Sequence, residues 1–387
     1  MNKNLLVFLL PFFFIGCNLN KELDISNDLE NELFSSAYLK NTPNNYDYFV
    51  ETYIDSSIQK VANDNLMANM NKYNSEMGYV IIMETSTGKI RAMSCFEKNT
   101  NNKLSNSSKL HINEAIEPGG LIKTFNLMSL LEDKKVDSTA IFNTNGGEIS
   151  FLGRAIKDAY PTSTNLSLNE AYLNSSNTIF AQLINNTYQN STGKFVSNFE
   201  KFGLSYKFKL PYADGNFKTY IPKPNSEEWS KITLPWMAIG YGIRLTPIQL
   251  LSYYNTIANN GKMVQPLFLS KITSKQGIKK EYKEKVIKQN LISKNTILRL
   301  QDLLKKTVNK GIAKEASSSK VSISGYAANT QINYADKSNN LQYSSSFIGY
   351  FPSDKPKYTI MVYLKGQNTF ENNNACKITN AIAKKIK

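Results

Sequence analysis

The chain has 387 residues, 41% hydrophobic and 11% aromatic, enough to bury a large core in one big domain with an appendage and unlike a disordered tail. Its 46 basic and 31 acidic side chains leave a net charge of +15, yet no basic run is dense enough to mark a patch. With one histidine and three cysteines, a structural zinc site is not expected, and no cofactor is implied. A Ser-His-Asp triad would have to use His111, around which nothing resembles a nucleophile elbow.

The chain opens with Lys3, an apolar run from Leu5 to Ile15, and Gly16-Cys17. A basic start and a short apolar stretch have the form of an export signal, and the stretch is well under the roughly 20 residues needed to span a bilayer. Phe14-Ile15-Gly16-Cys17 resembles the bacterial lipoprotein box, which implies Cys17 as a lipidated N-terminus after removal of residues 1–16. An ordinary secretory signal ending near a cysteine is the alternative. The lipoprotein resemblance implies a bacterial envelope location, facing the periplasm or the exterior, where a basic surface meets anionic lipid or wall polymer rather than nucleic acid. No later segment has a long uncharged apolar run, so a lipid would be the membrane anchor.

Residues 18–50 are rich in Asn, Asp, Glu, Ser and Lys and read as a polar tether, with room for a short helix around Leu29 to Leu39. From residue 51 the pattern is that of a folded domain running to residue 387. Ile54, Ile58, Val61, Ala62, Leu66 and Met70 are spaced as one helix face. Gly78 to Met83, a turn at Thr87-Gly88, and Lys89 to Met93 predict a hairpin, and Ser346 to Phe351 with Tyr358 to Leu364 predict a second. A helix from about Asn374 places Ala375, Ile378 and Ile382 on one face. Leu166 to Leu183 and Thr246 to Ala258 supply helices in the middle, whereas Leu204 to Glu228 reads as a long loop or a small β excursion. Strands at both ends and helices between predict an α+β domain, a central antiparallel sheet flanked by helices with an inserted helical lobe. Cys95 and Cys376, far apart in apolar settings, are expected to be free thiols.

The most informative segment is Glu117-Pro118-Gly119-Gly120-Leu121-Ile122-Lys123. It resembles the helix-opening motif Glu-Pro-Gly-Ser-x-x-Lys of the penicillin-binding protein transpeptidases, whose fold is beta-lactamase-like and whose serine is the nucleophile. Other landmarks follow in order. Tyr53-Ile54-Asp55 with Ile58-Gln59 is similar to the family's opening motif, and Ser175-Ser176-Asn177 to its second active-site motif, Ser-x-Asn. Ala238 to Gly242, Leu245 to Leu250 and Ala258 to Gly261 reproduce the stretch before the third motif. The third motif is altered: where the family has Gly-Lys-Thr-Gly-Thr, this chain has Gly325-Tyr326-Ala327-Ala328-Asn329.

The resemblance implies a cleft built from Gly120, Lys123, Ser175, Asn177, Tyr326, Ala327, Ala328 and Asn329. Acyl transfer needs a hydroxyl at a helix start beside a lysine one turn on, and Gly120 has none. Thr124 follows Lys123 about 100° further around a helix and so points elsewhere. Replacement of the third-motif lysine and threonine by Tyr326 and Ala327 removes both groups that pair with a substrate carboxylate. Three readings follow. The first is a non-catalytic member that binds a peptidoglycan stem peptide or a cell-wall synthesis protein. The second is an active D,D-transpeptidase or carboxypeptidase using Ser175 or Ser324 with Lys123 as base. The third is a scaffold whose cleft is closed by the Tyr326 side chain.

Overall fold

In the computed structural model, residues 13–15 and 48–386 are described, apart from 108–113, 138–139, 161–162, 211–217, 276, 333–340 and 368–372. Cys17, His111 and the possible helix around Leu29 to Leu39 lie outside the described residues.

Asp55 caps the first helix among the described residues, α1 (Ser56–Lys72), its carboxylate accepting from the Ser57 and Ile58 amides. The chain then forms β1 (Met77–Glu84), β2 (Ile90–Lys98) and β3 (Leu104–Asn106), and near the C-terminus β4 (Ser324–Gln331), β5 (Tyr343–Phe351) and β6 (Tyr358–Gln367). These join in one antiparallel sheet of order β4-β5-β6-β1-β2-β3, so the two predicted hairpins are neighbours through the β6–β1 pair.

Both sheet faces are buried, which explains why the central strands read as apolar runs rather than alternations. On β1, Val80 and Ile82 pack with α1 and the C-terminal helix, while Tyr79, Ile81 and Met83 face the larger helical cluster. The larger cluster contains α2 (Ile122–Glu132), α3 (Leu168–Leu173), α4 (Asn177–Tyr188), α5 (Thr192–Lys201), α6 (Thr233–Ala238), α7 (Pro247–Ala258) and α8 (Lys294–Lys310). The other layer is α1 with α9 (Asn374–Ala383), which buries Ala375, Cys376, Ile378 and Ile382. The helices α2 and α7 are buried all round, as helices at the centre of a large core are.

The α+β class and both hairpins therefore stand as read. Cys376 is buried and Cys95 half-buried, both free, and burial pushes the Cys95 thiol up to about 12. The strand Tyr48–Thr52 straddles the expected start of the domain at residue 51; it pairs with Leu269–Ser274 and buries Val50. The partner lies more than half the chain away, so nothing local to the polar segment announces the strand. Phe13–Ile15 pairs with the other edge of Tyr48–Thr52. The described part of Leu204 to Glu228 is loop, held by a bridge between Tyr220 and Arg244.

Candidate active site

A 3-10 turn, Gly119–Leu121, leads into α2 and places Gly120 at a helix N-terminus. Gly119 has φ of 50° and lies against both Thr330 on β4 and the backbone of Gly240. A Cβ at Gly119 would collide with Thr330 Oγ1, so this glycine is required by close approach. The Glu117 carboxylate accepts from Gly242 N–H at 2.9 Å and ties the motif to the Gly240–Gly242 loop.

Gly120 is different. Its φ lies outside the left-handed region, and a Cβ there would sit 3.2 Å from Ser175 Oγ, 3.4 Å from Ala328 Cβ and 3.8 Å from Lys123 Nζ. Space and backbone both admit a side chain, and it would face the two polar groups of the cleft.

Lys123 is 1% exposed. Its Nζ lies 2.8 Å from Ser175 O, 2.9 Å from Ser175 Oγ and 2.6 Å from Asn177 Oδ1. Burial lowers its pKa to about 7, opposed by the Asp158 charge. In the neutral amine the Ser175 hydroxyl can donate to Nζ, whereas in the ammonium Nζ donates to all three oxygens. Ser175 has φ of 55° in the tight turn between α3 and α4, where its N–H reaches Tyr172 O. Ser176 caps α4, and Asn177 opens it with its amide nitrogen on Lys157 O. The Asp158 carboxylate accepts from Ser176 Oγ and from both Thr178 N and Oγ1, fixing that helix start from outside.

The buried amine carries a pH signature. Because the folded pKa is depressed below the ordinary 10.5, the unfolded chain holds the proton that the folded chain releases between about pH 7 and 10.5. This group's destabilising share is therefore full below pH 7 and relieved as pH rises across that window. We expect wild-type stability relative to Lys123→Met to rise by about 3–4 kcal/mol between pH 7 and pH 10. Denaturant melts at several pH values check this, and a constant difference would contradict it.

Seven predicted site residues line one cleft: Gly120, Lys123, Ser175, Asn177, Ala327, Ala328 and Asn329. The eighth does not. Tyr326 is 0% exposed, with its ring centroid 4.7 Å from that of Tyr172, and its hydroxyl donates to Tyr172 O at 2.8 Å. Tyr326 shares its face of β4 with Ala328, whose methyl borders Gly120, while Ala327 faces the α1–α9 layer. The ring is packed against Tyr172 with its hydroxyl also beside Ser175, and it does not line the cavity that remains.

Of the alternative nucleophiles, Ser324 is also corrected. Its hydroxyl donates to Ser353 at 2.9 Å and does not line the cleft, whereas Ser175 contacts Lys123. Thr124 points away as expected, its hydroxyl between Tyr172 OH and Tyr254 OH. The cleft also contains Tyr160, Asn174, Ile239 and Tyr241, to which the sequence assigned no role. Tyr241 had a signal in the Ala238 to Gly242 stretch, and its hydroxyl accepts Gln331 N–H at the end of β4. The cavity is about 60 Å³, room for a few water molecules or one small group rather than the ~300–1,000 Å³ of a drug-sized pocket.

The penicillin binding protein transpeptidase domain model matches residues 78–387. The chain is 24% identical over 300 residues to the peptidoglycan D,D-transpeptidase FtsI of Escherichia coli K12, covering 75% of this chain and 47% of that protein. It is likewise 24% identical to the probable peptidoglycan D,D-transpeptidase PbpC of Pseudomonas aeruginosa, covering 80% of this chain and 53% of that protein. The chain thus spans about half the length of these curated relatives. Among solved structures, penicillin-binding protein 2B of Streptococcus pneumoniae superposes with a TM-score of 0.75 at 20% identity, covering 86% of this chain and 59% of that one. The transpeptidase domain of Burkholderia pseudomallei penicillin-binding protein 3 gives 0.70 at 19%, covering 86% and 94%.

Proposed function

The chain belongs to the penicillin-binding protein transpeptidase family, and from that premise we propose that it is a member without acyl-transfer activity, serving peptidoglycan synthesis by binding stem peptide or a cell-wall synthesis protein. The observation that carries the reading is the cleft. Lys123, Ser175 and Asn177 keep a complete hydrogen-bonded constellation around a position, Gly120, that has no atom to attack with. A serine nucleophile is normally polarised by a helix N-terminus and by a lysine of this kind. Here both remain and the oxygen is missing. Ser175 sits in the α3–α4 turn rather than at the start of α2, so it does not inherit that polarisation.

The test is direct. Purified chain sedimented with peptidoglycan sacculi is expected to pellet with them, while incubation with a soluble stem pentapeptide releases no D-alanine above the protein-free rate. Catalytic release of D-alanine refutes the reading, and failure to bind sacculi leaves the protein-partner branch, tested by cross-linking to wall synthases.

The proposal includes a lipid anchor at Cys17 in a bacterial envelope membrane. Processing ahead of Cys17 would remove Phe13–Ile15 and leave Leu269–Ser274 as the described partner of Tyr48–Thr52. Metabolic labelling with a radioactive fatty acid is expected to mark the wild-type chain and to be lost in Cys17→Ser. Equal labelling of the two would exclude the anchor.

A further inference from the structure

The cleft offers little to an anion. Among the described residues that line it, Lys123 is the sole cation. Its amine is surrounded by Ser175 O, Ser175 Oγ and Asn177 Oδ1, and it is buried. The charge that acts on it from behind the lining is negative, the Asp158 carboxylate. That carboxylate is kept in place by Ser176 and Thr178 at the start of α4. The nearby Lys157 is paired with Glu148 at 2.9 Å.

On the strand that borders the cleft, position 326 carries a phenol engaged on Tyr172 O, and positions 327 and 328 carry only methyl groups. The remaining polar lining is uncharged. It consists of the amides of Asn174, Asn177 and Asn329, the phenols of Tyr160 and Tyr241, and the main chain of β4, which is an edge strand paired with β5 alone. Amides, phenols and the stretch of strand edge between Gly325, whose carbonyl accepts from Thr307, and Gln331, whose N–H donates to Tyr241, can exchange hydrogen bonds with peptide groups. An unpaired carboxylate placed among them would lose its hydration without gaining a counter-charge.

Resting on the reading that this cleft binds peptidoglycan peptide, we propose that it selects an uncharged peptide segment. The D-alanyl residue it takes has its carboxyl group already in amide linkage, as in a cross-linked or amidated stem, in preference to a free terminal carboxylate. The small cavity at Gly120 suits a single methyl-sized group, with the rest of the peptide lying along the edge of β4.

Calorimetric titration of the full chain at pH 7.5 tests this with one peptide in two forms, diacyl-L-lysyl-D-alanyl-D-alanine as the free acid and as its carboxamide. The carboxamide is expected to bind at least 10-fold more tightly. A Tyr326→Lys, Ala327→Thr double variant is expected to reverse the order. Asn329→Lys, at a half-exposed position on the cleft wall, is expected to shift it the same way without disturbing the buried Tyr326 ring. Equal affinities, or tighter binding of the free acid by the wild-type chain, overturn the preference while leaving peptide binding intact. Binding of neither form overturns the peptide reading itself, and the preference with it.

Discussion

Incubated with a fluorescent penicillin, the wild-type chain is expected to carry no covalent label, and Gly120→Ser to acquire one. Removing the nucleophile from a serine acyl-transfer site costs on the order of 10⁶ in rate in a serine protease, so at equal times the unmodified chain should be blank. The gain in Gly120→Ser is argued from geometry. A Cβ at 120 meets no backbone, keeps an ordinary φ, and stands 3.8 Å from Lys123 Nζ and 3.2 Å from Ser175 Oγ. A hydroxyl on that Cβ reaches an amine whose pKa of about 7 leaves a large neutral fraction at pH 7.5, the form that accepts its proton. Adding Tyr326→Lys and Ala327→Thr is expected to speed labelling a further 10- to 200-fold, the equivalent of the 1.5–3 kcal/mol of a charge-assisted contact to the penicillin carboxylate. Stable label on the wild-type chain would sink the non-catalytic reading. A folded but unreactive Gly120→Ser would show that the loss extends beyond the missing oxygen.

Tyr326→Ala is expected to lose about 3–5 kcal/mol of stability, the range for truncating a large buried aromatic. The ring is fully buried between β4 and α3, and its hydroxyl is the donor to Tyr172 O. Tyr326→Phe separates the contributions: it keeps the ring and removes one hydrogen bond from a carbonyl that Ser175 N–H still reaches, for an expected loss of about 0.5–1.5 kcal/mol. Urea melts of the three chains check both values. A Tyr326→Ala variant within 1 kcal/mol of wild type would mean that the ring is not a structural wedge, and a role in the opening would have to be reconsidered.

Both experiments probe one face of β4, since Ala328, which borders Gly120, and Tyr326 both face the helical cluster. The string Gly325-Tyr326-Ala327-Ala328-Asn329 identified the strand and its altered chemistry. Which of its side chains reach the opening depends on what packs above and below. With both sheet faces buried, an apolar or aromatic residue is equally at home on either. Thr124 was simpler: helix geometry alone turned it from Lys123, and its partners proved to be two tyrosines from other helices.

Ser324 shows the limit of adjacency in sequence. It lies two residues before Tyr326, yet the strand carries it to the far end of the β4–β5 pair, opposite Tyr350 and bonded to Ser353. Conversely Tyr160 and Tyr241, distant in sequence from the three motifs, arrive in the cleft because the loops that bear them pack around α2 and the end of β4. The strand Tyr48–Thr52 was hidden for the same reason, since its hydrogen bonds go to Leu269–Ser274.

By itself the sequence determined what is local or periodic. It specified the two hairpins and the terminal helices from apolar spacing, the family from ordered motifs, and the missing oxygen from the identity of residue 120. The tertiary structure alone decided what depends on contact between remote segments. Lys123 shares its surroundings with Ser175 and Asn177 rather than with solvent, and Tyr326 packs on Tyr172 with its hydroxyl beside Ser175. No cation is left along the described lining to receive a carboxylate. The reason is physical: periodicity is written along the chain, whereas burial, and with it the charge state of an amine and the direction of a strand residue, is set by partners that only folding brings near.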